Sequence, residues 1–258
     1  SALLFSLLAA ATGHASAQKL VHTQPAKLAA MEAHFETTDE PTGLYLFGWP
    51  DAEAKTVRFG VRIPKLLSLL VWNDPNRPVP GLDRIPPNER PPIWLPFQTF
   101  HLMVAMGTLM IGVAGLALFM RLRGGLERRR WLLKLLIPMP LAAMIANQAG
   151  WITAEVGRQP WIVYPSVQQG VEMMGLRTSD GLSESVTAEQ VLGSIILFAI
   201  IYALLFAVWL FVLDRKLRHG PETPEELREH KRRIARSGIG GLLADQGSVR
   251  GGMLEERN

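Results

Sequence analysis

The run AGWITAEVGRQPW holds a carboxylate and a guanidinium three residues apart, Glu155 and Arg158, with Trp151 one turn ahead of the carboxylate. On a helix these three side chains share one face. The preceding stretch, residues 135–154, carries no charge and has about the length that crosses a bilayer. A carboxylate at such a border is costly unless it has a partner or a cation to bind. Two readings follow. Glu155 is half of an interfacial ion pair between tryptophan anchors at Trp151 and Trp161, as is common at membrane borders, or it serves a bound group.

Two further clusters have chemically useful types. PFQTFHLMVAMG places His101 two residues before Met103 at the start of an uncharged run. Histidine is the commonest metal ligand, whereas a methionine among several reads as core packing on composition alone. Two residues apart, their side chains leave different sides of a helix. QPAKLAAMEAHFET carries Gln24, Lys27 and Glu32. Lys27 and Glu32 are five apart, so a straight helix does not put them on one face. They converge only if the chain folds or a ligand reaches around. Ordinary solvated charges explain them equally well, and His14 and His22 are weaker candidates.

The elements that must position these residues are membrane helices. The chain has 258 residues, 48% of them hydrophobic, and a mean hydropathy of +0.14. That is too apolar for an ordinary soluble domain with so many long uncharged runs. There is no cysteine, which excludes disulfides, thiolate metal sites and cysteine nucleophiles. There is also no internal repeat or glycine-rich phosphate loop, and no nucleic-acid partner is expected.

Residues 1–12 read as the exit end of a transmembrane helix whose beginning is missing. Residues 13–92 form a charge-balanced region with nine acidic and nine basic side chains, too long for a plain connector. Within it we expect a short helix from Pro25 to about Phe35 capped by Thr23, a strand or turn over 42–50, a strand over 57–63, a short apolar helix over 66–72, and irregular chain over 73–92. Membrane helices are expected over 93–120, 135–154 and 191–213, the second bent by Pro138 and Pro140. Thr223-Pro224-Glu225-Glu226 opens a charged helix to about Arg236, before a glycine-rich tail over 237–258.

Charge sets the direction. The turn 121–134 opens with five arginines and one glutamate over 121–130, and three basic residues start the tail 214–258, whereas 155–190 holds five acidic and two basic side chains. Short loops rich in Lys and Arg stay cytoplasmic. The turn and the C-terminus are then inside, and residues 13–92 and 155–190 outside. The fold class is an all-α integral membrane protein, a helical bundle with a large extracytoplasmic loop.

The motif AGWITAEVGRQPW resembles the GRQPW signature of subunit I of the cytochrome bd quinol oxidases. QPAKLAAMEAHFET, LFGWP and FGVRIPKLL resemble that family's quinol-binding loop, and FHLMV resembles its haem-ligand motif. The resemblance runs to about Gly220. It implies quinol-binding roles for Lys27, Glu32 and Gln24, a low-spin haem b ligand at Met103, and a high-spin haem b ligand at Glu155. It also puts Arg158, Trp151 and His101 in the haem environment. Many family members carry an arginine in place of His101, which leaves open whether this ring tunes the haem, binds it or hydrogen-bonds nearby.

A thioether suits a low-spin iron, and weak oxygen ligation keeps one iron face reactive. Met103 lies about 9 Å in from Phe97 at 1.5 Å per residue, so both proposed ligands fall on the side of the quinol loop.

The resemblance further implies haem d, a partner subunit II, quinol and oxygen as substrates, and a place in a bacterial plasma membrane in contact with lipid. The expected activity is electrogenic, non-pumping quinol:oxygen oxidoreduction by the full complex, with the remaining haem ligands on earlier helices and this fragment inactive alone. A transporter with proline-broken spans, or a structural membrane protein with an extracytoplasmic binding loop, is the alternative.

Overall fold

The computed structural model describes residues 1–168 and 171–220. The expected helix over 223–236 and the tail after it lie outside the described residues. Two compact units divide the chain at Leu182.

The first unit opens with α1 (Ala2–Thr23), which runs unbroken past Gly13, so the helix expected to end at Thr12 is nearly twice as long. One interior glycine costs only about 1 kcal/mol. The far end of α1 is held by Val21, buried against Leu28, Met31, Leu67, Val71 and Val79. Thr23 does not cap the next helix. Its hydroxyl turns back to the Lys19 carbonyl at 2.9 Å.

α2 (Pro25–Met31) starts on Gln24 and is the hub of the region between α1 and the next long helix, with Ala26, Leu28, Ala29, Ala30 and Met31 all buried. It stops four residues short of the expected end at Phe35. Ala33 takes a left-handed φ of 48°, the Ala33 amide bonds the Ala30 carbonyl at 3.2 Å, and the His34 amide bonds the Ala29 carbonyl at 2.8 Å. This is the helix-terminating motif usually built on glycine, made here with alanine.

The two expected strand segments become four short ones in a nested ribbon. β1 (Leu44–Tyr45) pairs with β4 (Arg62–Ile63), and inside it β2 (Trp49–Asp51) pairs with β3 (Thr56–Arg58). The single strand expected over 57–63 breaks at Phe59, whose φ is 52°. α3 (Leu66–Trp72) falls where expected and packs Leu67 and Val71 onto α2. Two 3₁₀ turns, Leu82–Arg84 and Pro87–Glu89, interrupt the otherwise irregular approach to the next helix.

α4 (Trp94–Leu122) is the long apolar helix. α5 (Arg130–Leu136) and α6 (Met139–Val156) divide the next one at Ile137 and Pro138, since proline lacks an amide and clashes with the preceding turn. α4 and α6 are tied by a buried hydroxyl pair, Thr99 and Thr153, at 2.7 Å. A second nested ribbon follows: β5 (Trp161–Val163) pairs with β8 (Leu176–Arg177), and β6 (Ser166–Gln168) with β7 (Val171–Met173).

The second unit contains α7 (Ala188–His219), whose N-terminus is closed by a reciprocal cap between Thr187 and Gln190. Among the described residues, three helices are long and apolar enough to cross a membrane: Trp94–Leu122, Arg130–Val156 and Ala188–Arg218.

Candidate functional site

Gln24 and Glu32 bracket α2, and each has a buried side-chain oxygen without a partner, Oε1 of Gln24 and Oε2 of Glu32. Glu32 is 5% exposed. Burial pushes its carboxyl up to about 8, because the ionised form loses its hydration. It borders a cavity of about 180 Å³ shared with His34, Tyr45, Lys55 and Arg62. His34 is bonded through Nε2 to the Val79 carbonyl at 2.8 Å, and burial lowers its pKa.

Lys27 does not join Glu32. Its Nζ donates to the Ala154 carbonyl of α6 at 3.1 Å. Burial lowers its pKa, as does the charge of Arg158, while Glu155 acts in the opposite sense. A lysine of the first motif is therefore brought to the carboxylate and guanidinium of the last, 127 residues away in sequence.

Glu155 and Arg158 form a direct ion pair, with side chains 46% and 34% exposed. Trp151 stands exposed beside them. Met103 and His101 part company as their spacing requires. The Met103 sulfur lies against α6 at Gly150, where a Cβ would come within 2.7 Å of it, so any larger residue there would displace the thioether. His101 turns toward the loop. Nδ1 is 2.7 Å from the Phe97 carbonyl and Nε2 is 2.7 Å from the Tyr45 carbonyl. Each ring nitrogen faces a backbone carbonyl, and whichever one carries the proton donates to its carbonyl, which makes His101 a tie on α4 or from α4 to the ribbon.

The donor set fits haem. Met103 offers a thioether of the kind that ligates low-spin iron, and Arg158 a guanidinium able to pair with a propionate.

Sequence reading missed a second cavity, about 560 Å³, lined by Phe47, Trp49, Arg58, Phe59 and Gln98. Gln98 anchors it by donating to the Gly48 carbonyl at 2.8 Å. The aromatic run in LFGWP was the available signal, but its approach to Phe59 depends on the ribbon's register.

The family profile described as cytochrome bd terminal oxidase subunit I matches residues 1–221. The chain belongs to this family. It is 32% identical over 221 residues to cytochrome bd ubiquinol oxidase subunit 1 of Bacillus subtilis, covering 82% of this chain and 45% of that protein. A putative cytochrome bd menaquinol oxidase subunit I of the same organism is 35% identical, with 84% and 46% covered. Among solved structures, the bd oxidase of Geobacillus thermodenitrificans superposes with a TM-score of 0.70 at 35% identity, covering 85% of this chain and 48% of that one. The chain thus spans about half the length of the bd oxidase relatives it matches. Membership in this bd oxidase family sets aside the transporter and structural-protein readings.

Proposed function

We propose that this chain supplies the quinol-binding surface and two haem ligands of subunit I in a cytochrome bd-type quinol:oxygen oxidoreductase of the bacterial plasma membrane, acting with subunit II. The observation that carries the reading is the pair of buried, unpartnered oxygens on Gln24 and Glu32. An orphaned buried polar atom costs roughly 1–3 kcal/mol, and a bound quinol hydroxyl would satisfy it. Oxidising a quinol also requires acceptors for two protons. Glu32, with its pKa raised to about 8, is close enough to neutrality to take up a proton and pass it on, and its cavity opens among His34, Lys55 and Arg62. Gln24 orients a ring oxygen, and Lys27 lies on the same helix at the boundary with α6.

Haem, when bound, supplies the one-electron chemistry linking quinol to oxygen. Met103 would hold the low-spin haem b and Glu155 the high-spin haem b, with Arg158 and Trp151 beside it. Haem d would be held by residues outside this chain. With residues 13–92 on the outer side, quinol protons leave outward while those consumed in forming water come from inside. Charge is then separated without a pump.

The test is Glu32→Gln in the full-length complex. We expect quinol oxidation to fall roughly 100-fold, the scale of a lost proton acceptor, with the haem spectrum intact. Unchanged turnover and apparent KM would remove Glu32 from the quinol site.

A further inference from the structure

The C-terminal turn of α6 is finished by a side chain from α2. The Thr153 carbonyl receives the Gly157 amide at 3.0 Å and the Val156 carbonyl receives the Gln159 amide at 3.2 Å. Between them, the Ala154 carbonyl receives Lys27 Nζ. The lysine stem reaches it by crossing Gly157, where a Cβ would stand 3.2 Å from Lys27 Cγ and 3.6 Å from Cε. The glycine of GRQPW and the lysine of QPAKLAAME therefore occupy one contact.

The donor is well placed to act as a strut, because α2 itself is fixed. Ala26, Leu28, Ala29 and Ala30 are each no more than 2% exposed. A helix C-terminus carries partial negative charge, and a lysine bonded to its last carbonyls is favourable there. Glu155 and Arg158 are the first and fourth residues after the capped carbonyl.

We propose that Lys27 is a positioning residue that caps the outer end of α6, so that the helix of the quinol loop holds the Glu155–Arg158 pair in place. This deepens the proposed function and rests on its reading of Glu155 as a haem-facing carboxylate. Lys27 acts on that site through the backbone of Ala154 and through its charge.

The experiment compares Lys27→Met and Lys27→Arg with wild type in the full-length oxidase complex. It uses two readouts, hydrogen–deuterium exchange of the amides of residues 155–159 and 161, and a redox titration of the high-spin haem. In Lys27→Met we expect exchange of that turn to rise about tenfold or more and the haem midpoint to fall, since a nearby cation favours the ferrous form. Lys27→Arg keeps a donor and a charge and restores both. If Lys27→Met fails to assemble, Lys27→Gln, neutral and shorter, should show the same two changes. Unchanged exchange and midpoint alongside a raised quinol KM would overturn the cap and leave Lys27 a quinol ligand alone. A wild-type complex with no high-spin haem would instead refute the reading of Glu155, and the exchange measurement would then decide the cap by itself.

Discussion

The two motifs treat their polar groups in opposite ways. On α2, Gln24 and Glu32 keep oxygens buried and unpaired, inside a region whose small apolar core is packed around the same helix. At the end of α6 the carboxylate and the exposed helix carbonyl have partners, Glu155 with Arg158 and the Ala154 carbonyl with Lys27, and of that motif's side chains the buried indole Nε1 of Trp161 alone is left without one among the described residues. The ion-paired side chains remain a third or more exposed. Unpaired burial is tolerated only where packing fixes the backbone, and it leaves hydrogen-bonding capacity for a neutral ligand. A paired, half-exposed couple instead maintains fixed charge where a larger group can approach. The first arrangement suits a quinol that comes and goes, and the second suits a resident cofactor.

The largest expected break of this comparison is on the α4–α6 side. Met103→Leu roughly conserves volume and should convert the low-spin haem to high spin or lose it, read in the reduced-minus-oxidised spectrum of the full complex. His101→Ala should leave the spin state as it is, because both ring nitrogens face backbone carbonyls. A wild-type low-spin spectrum in the leucine variant removes Met103 as a ligand.

Glu155→Gln separates the two readings of the ion pair. An exposed pair contributes only about 0–1 kcal/mol, so a purely interfacial role predicts little change. At a haem, removing the anion favours the ferrous form, and the high-spin midpoint should rise or the haem be lost. An unchanged midpoint with full occupancy and turnover returns Glu155 to the interfacial role.

The third test sharpens the α2 side. Burial lifts the Glu32 carboxyl from 4.5 to about 8, so the folded protein keeps a proton that the unfolded chain has lost between those values. The stability tied to this group is therefore fully present below pH 4.5 and is lost as the pH rises through 8. Hydrogen exchange over residues 24–36 should quicken from pH 6 to pH 9, after correction for the intrinsic rate, and Glu32→Gln should flatten that trend. Equal trends in the two proteins would show that Glu32 is already ionised at neutral pH.

The smallest effect is expected at Ala33. Glycine removes a left-handed strain of about 1 kcal/mol or more but also a buried methyl of about 0.8 kcal/mol. Ala33→Gly should leave thermal stability within about 1 kcal/mol and the haem spectrum untouched. A larger loss would mean that packing against Val57 and Phe97 outweighs the strain.

Much of this was legible in the sequence, for identifiable reasons. Uncharged runs exposed the long helices, and Pro138 marked the break in the second. The five-residue spacing already argued that Lys27 and Glu32 diverge. The length of α1 was hidden, because Gly13 and the polar GHASAQ look like an exit while burial of Val21 at the far end sustains the helix. The partner of Lys27 was hidden by a sequence separation of 127 residues. His101 attracted attention as a possible metal ligand, and only the approach of Tyr45 shows that its second nitrogen also faces a backbone carbonyl.

The interruption at Ile137 and Pro138 has a mechanical consequence. Because α5 ends at Leu136 and α6 begins anew at Met139, the ladder of backbone bonds is not continuous from the arginine-rich turn to Glu155. The azimuth of Trp151, Glu155 and Arg158 is therefore held locally, by Thr153 against Thr99 and by the lysine at Ala154. One end of the segment can follow the lipid and its charges while the other keeps its aim.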